Sequence, residues 1–134
     1  MTVDLPLACV AATLLLIYVP RILIMQAQKR DPAGFDNKDP REQQARLDQA
    51  GKRALGAHNN AFEAFAPFAA AVLACELRHV NEHWVTILAL VHVVARLVYP
   101  WLYVKGIDKA RSGVWLIGMS ATSALMLLAV VGYT

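Results

Sequence analysis

Charge is scarce in this chain, and its distribution matters more than its amount. Only 17% of the 134 residues are Asp, Glu, Lys or Arg, against 57% hydrophobic. With a mean hydropathy of +0.42, this excludes an ordinary soluble domain, and the length allows one domain, 1–134. Two cysteines, Cys9 and Cys75, exclude a cysteine-based metal cluster. They read as small apolar packing residues, and their similar depth leaves a disulfide open. The histidines, His58, His79, His83 and His92, are scattered with no zinc-type pairing, so no metal site is expected. A glycine-rich phosphate loop is missing, as is any serine-histidine-acid arrangement. The formal charge of +3 does not indicate nucleic acid, because the basic residues do not cluster on an aromatic-lined surface.

What is present is four apolar runs, each near the ~20 residues that cross a bilayer. They predict an all-α, four-transmembrane-helix bundle with helices at about 5–28, 53–78, 84–104 and 111–133 and a polar loop at about 30–52. The N-terminus has no basic segment before its apolar run and no small-residue cleavage site after it, so the first run is expected to stay as a span. Lys29, Arg30, Lys38, Arg41, Arg46, Lys52 and Arg53 surround the first loop, and Lys105, Lys109 and Arg111 the third. The second loop has only Arg78. The positive-inside rule then places loops one and three in the cytoplasm and both termini outside, in an integral, multi-pass protein. Within the first loop Asp39 and Pro40 predict a short helix to about Gln49, in a solvated segment long enough to serve as a lid.

Polar residues inside the apolar runs carry the functional signal. Arg53, Asn60, Glu63 and Pro67 share one helical face of the second span, and His92, Arg96, Tyr99 and Tyr103 share one face of the third. Counted at 1.5 Å per residue, Glu63 and Arg96 both lie about 12–15 Å from the loop ends of their helices. A carboxylate there must be paired, so a buried Glu63–Arg96 ion pair bonded to Asn60 is expected. Pro20 should interrupt the first span and Pro67 kink the second. Arg21 reads as a snorkelling side chain or a member of the same layer. Arg111 opens the fourth span, where the helix dipole disfavours a cation without an anion nearby, which makes it a candidate anion ligand. For Asn60, Glu63 and Arg96 two readings stay open, an interhelical clamp and a ligand contact. Arg111 and Tyr103 point to function. The layer as a whole suits a small anionic ligand next to lipid that supplies an apolar co-substrate.

These residues resemble the MAPEG family, the membrane-associated proteins in eicosanoid and glutathione metabolism. The resemblance covers essentially the whole chain. It rests on Arg53, on Ala57-His58-Asn59-Asn60-Ala61-Phe62-Glu63 with Phe65-Ala66-Pro67-Phe68, on Ala95-Arg96-Leu97-Val98-Tyr99 with Tyr103, and on Arg111-Ser112. It implies a homotrimer embedded in the lipid bilayer, with glutathione bound between subunits near the cytoplasmic face. Arg30 (or Lys29), Arg53, Asn60, Glu63, Arg96, Tyr99 and Tyr103 are the implied glutathione-site residues, Arg30 or Lys29 reaching in from a neighbouring subunit. Arg111 is the implied thiolate-stabilising residue, with Ser112 beside it. The implied activity is a glutathione-dependent transferase or peroxidase for lipophilic electrophiles or hydroperoxides. The alternative is a non-catalytic protein of the same fold that binds another small anion or a lipid. Two departures bear on that choice. Glutathione-using members usually carry arginine four residues before the motif asparagine, where this chain has Gly56, and the prostaglandin synthase carries another just before it, where this chain has Asn59.

Overall fold

The computed structural model of the chain describes residues 4–132. Its helices are α1 (Leu5–Leu16), α2 (Val19–Lys29), α3 (Pro40–Ala45), α4 (Gln49–Leu77), α5 (Glu82–Lys105) and α6 (Asp108–Val131). Four segments are long and apolar enough to cross a membrane: α1 with α2 as one broken rod, then α4, α5 and α6. The expected reach of the fourth span to Tyr133 lies outside the described residues. α4 starts at Gln49 and α6 at Asp108, earlier than the apolar runs suggest. In α4 the reason is a cap: Asp48 accepts from Gly51 N at 2.7 Å and begins the helix while the sequence is still polar.

The first rod breaks because Pro20 has no N–H for the Leu16 carbonyl. Arg21 N then bonds Tyr18 O at 3.1 Å, a tightened turn that leaves the Ile17 carbonyl without its usual partner. His58 of α4 supplies one, its Nδ1 donating to Ile17 O at 2.8 Å. α4 continues on both sides of Pro67, whose ring removes the N–H that would otherwise reach the Glu63 carbonyl.

Packing follows membrane logic. Small residues face inward, among them Ala57, Ala64, Ala71, Ala89, Ala121 and Ala129, and let the helices approach closely. Large apolar side chains such as Leu15, Leu77 and Val130 face outward, more than two-thirds exposed. The end of the bundle where α1 begins and α6 ends is filled by Cys9, Phe68, Val72, Cys75, Val85 and Leu125. Both cysteines are free there, and Cys75 Sγ donates to Leu125 O at 3.2 Å.

The opposite end is closed by the first loop, which is less solvated than its composition suggests. Gln43 is only 1% exposed. Its amide donates to Gly34 O at 2.7 Å and Gln28 O at 3.3 Å, and its oxygen accepts from Gln28 Nε2 at 3.2 Å and Asp36 N at 3.1 Å. Leu47 completes the plug against Ile24, Ala27 and Ala54. The segment is therefore folded onto α2 and α4, not a loose lid. The helix α3 is shorter than expected and ends at Ala45.

Candidate functional site

The polar residues of α4, α5 and α6 meet near the loop end of the bundle. Arg96 is 4% exposed, and its Nη1 donates to Asn60 Oδ1 at 3.1 Å. Asn60 Nδ2 in turn donates to Glu63 Oε2 at 3.3 Å. The expected direct Glu63–Arg96 ion pair is not formed, and this is a correction. Arg96 points into the bundle, Glu63 sits on the exposed side of α4, and the Asn60 amide spans the gap with both its ends. A neutral amide can bridge cation and anion because it accepts with oxygen and donates with nitrogen.

Above this string lie the aromatic rings. Arg96 Cζ is 4.9 Å from the Tyr99 ring centre and Arg111 Cζ is 4.5 Å from that of Tyr103. The two rings meet edge to face, 5.7 Å apart at 69°. Each guanidinium thus rests on an electron-rich face, which holds it without using its N–H groups. Arg111 lies in the first turn of α6, and its backbone N–H bonds Ile107 O at 3.1 Å. Its side chain makes no ion pair among the described residues.

Gly56 explains how Tyr103 reaches α4. A Cβ at position 56 would stand 2.5 Å from the Tyr103 hydroxyl, so only glycine lets the ring lie against the helix. The position where the resemblance leads one to look for arginine is covered here by a phenol. Arg53 lies one turn earlier on α4 and folds over Gly106, the left-handed cap of α5 (φ 74°).

Two residues named from the sequence stand apart. Arg30 caps the end of α2 and bonds Asp48 at 3.3 Å, with both side chains exposed. The Gly51 N–H, followed by Arg30, holds the Asp48 carboxyl below the usual carboxylate range. Ser112 is exposed on α6, one residue beyond Arg111. Sequence reasoning missed the part played by His58, which ties the broken first rod to the site helix. The signal was Pro20: a proline inside a span frees a carbonyl that some other helix must satisfy. His58 also meets Phe62 edge to face at 5.1 Å.

On the outside of the bundle an apolar groove of about 280 Å³ runs between the two proline-bearing stretches, lined by Val19, Pro20, Leu97, Pro100 and Trp101. Arg96 forms part of its wall. A buried cation therefore stands between an internal polar string and a surface that lipid would wet.

Four apolar spans, outward-facing large side chains and a buried arginine hydrogen-bonded across helices define an integral, multi-pass membrane protein of the helical-bundle class. The MAPEG family model matches residues 5–131, nearly the whole described chain. The chain belongs to that family, and hence to the membrane proteins of glutathione and eicosanoid metabolism. No curated protein and no solved structure matches it.

Proposed function

We propose that the chain is a glutathione-dependent transferase or peroxidase acting on lipophilic electrophiles or hydroperoxides, assembled as a homotrimer. The observation that carries the reading is the open end of the polar string: Glu63 is exposed at membrane depth, and Arg111 sits on Tyr103 with no carboxylate partner among the described residues. Neither group can face hydrocarbon at reasonable cost. A second copy covering that face and a zwitterionic, dicarboxylate ligand between the copies would satisfy both.

In this reading Glu63 accepts from the ligand's ammonium, while Arg53, Asn60 and Tyr99 hold its carboxylates and amides. Arg96 acts from behind by fixing Asn60. Arg111, with Ser112 next to it, lowers the thiol pKa so that the thiolate is populated at neutral pH. The thiolate attacks an electrophilic carbon, a C–S bond forms, and the leaving group departs with a proton from solvent. With a hydroperoxide the thiolate instead takes the terminal oxygen and alcohol is released; a second glutathione then displaces water to give the disulfide. The groove beside Pro20 and Pro100 supports a lipophilic co-substrate. The basic loops support a cytoplasmic placing of the site, and Arg30, engaged by Asp48 within its own chain, would reach it from a neighbouring copy.

Calorimetry of glutathione binding to detergent-solubilised protein tests the ligand: no heat at millimolar glutathione would overturn it. Given binding, Arg111→Ala should cut turnover of a model electrophile by ~10²-fold or more, the scale of losing an electrostatic stabiliser, with the oligomer intact. Unchanged turnover would reject the role of Arg111. A second reading, a non-catalytic binder of another small anion or a lipid, is favoured by the Tyr103 hydroxyl over Gly56, since a phenol supplies no cation for a carboxylate.

A further inference from the structure

His92 and Arg96 occupy successive turns of α5, and each has one buried nitrogen that finds no hydrogen-bond partner among the described residues: Nε2 of His92 and Nε of Arg96. Both side chains are at least 96% buried, at 1% and 4% exposure. They line the same small cavity, of about 10 Å³, together with Ala64, Pro67, Trp115 and Thr122. Two buried, partnerless nitrogens on residues that line one cavity are a costly coincidence unless something joins them.

The hydrogen-bond chemistry selects what that is. His92 Nδ1 lies 3.2 Å from Gly118 O and 2.9 Å from Thr122 Oγ1, and Thr122 Oγ1 donates to the same carbonyl at 3.1 Å. A carbonyl only accepts, so the contact of Nδ1 with Gly118 O is a hydrogen bond when Nδ1 carries the ring proton, and Nε2 then presents a lone pair. Arg96 Nε can only donate. The occupant must therefore donate to one wall and accept from the other. A metal ion or ammonium cannot accept from a guanidinium, a halide cannot donate to an imidazole, and hydrocarbon does neither. The volume is about that of one water.

We propose that this cavity is a binding site for a single water molecule, held by His92 Nε2 and Arg96 Nε–H, and that His92 is thereby a positioning residue for Arg96. The polar string then runs from the Gly118 carbonyl of α6 through His92, the water, Arg96 and Asn60 to Glu63. Stacking of the imidazole on Phe68, with centres 3.9 Å apart and planes parallel, fixes the ring that aims Nε2. The inference does not depend on the identity of the ligand at Glu63.

A structure of the full chain in a lipid nanodisc, at a resolution that resolves waters, tests it. The expected result is a density peak within ~2.7–3.2 Å of both nitrogens. A protein group on Arg96 Nε, or a filled cavity with no peak, would overturn the proposal. His92→Phe keeps a ring against Phe68 and removes Nε2; the peak should vanish, and the ¹⁵Nε resonance of Arg96 should move relative to wild type. A peak retained in that variant, or an unmoved resonance, would reject His92 as the holder. Because the wild-type density is decisive by itself, failure of the variant to fold leaves the proposal exposed to refutation.

Discussion

Two buried polar groupings sit at the same end of this bundle, and they are built differently. The glutamine plug of the first loop is satisfied inside the chain at Gln43, which uses both hydrogens and both lone pairs on Gly34, Gln28 and Asp36, while its one partnerless atom among the described residues, Gln28 Oε1, is buried away from the surface. The string on α4 and α5 does not close. It runs from Arg96 through Asn60 and ends on an exposed carboxylate. Capacity sealed inside the fold offers nothing to a ligand, whereas capacity left at the surface is what a ligand or a second chain can meet. Polarity inside a membrane protein is thus not sufficient to mark a site. The informative feature is a polar chain that stops at the surface.

That contrast breaks most sharply at Gln43. Replacing it in Gln43→Leu removes four hydrogen bonds and strands several partners, so unfolding in detergent should become easier by roughly 3–4 kcal/mol. Ligand affinity per folded molecule should stay within twofold. A large loss of affinity with small loss of stability would put the loop in the site. Next in size is Asn60→Leu, which takes from Arg96 its hydrogen-bonded partner and should cost about 2 kcal/mol, the scale of a lost bond to a charged group. Here binding should fall with stability, because the same amide serves both; unchanged stability would sever the string from the fold.

The smallest effect belongs to Asp48, at the edge of the plug. Its pKa is depressed chiefly by the Gly51 N–H bond and then by Arg30, so its contribution is present above the ordinary carboxylate range, about 3.9, and is lost as pH falls below that range. Wild type should show this acid-side loss in a denaturation series, and Asp48→Asn should show less of it. Identical acid limbs would dismiss the cap as a stabiliser.

The spans were legible because their length and apolarity answer to one constraint, the thickness of hydrocarbon. The spacing of Arg53, Asn60 and Glu63 on one helix and of His92, Arg96, Tyr99 and Tyr103 on the next likewise follows from helical geometry. Helix rotation was not legible. Depth brought Glu63 and Arg96 level, but only coordinates show Arg96 turned inward and Glu63 outward, with Asn60 joining them. The folding of loop one was hidden for another reason: glutamine reads as solvated until its four bonds are seen. His58 could have been found by asking which donor answers the carbonyl freed near Pro20.

The central claim is that Asn60, not Glu63, holds Arg96, leaving the carboxylate for something outside the chain. Thermal unfolding of Glu63→Gln in detergent, side by side with wild type, tests it most directly. Stability within ~0.5 kcal/mol of wild type is the expected result, as for a surface change that leaves buried partners intact. A loss of 3 kcal/mol or more, roughly the cost of breaking a buried ion pair, would show the acid and the base to be paired after all.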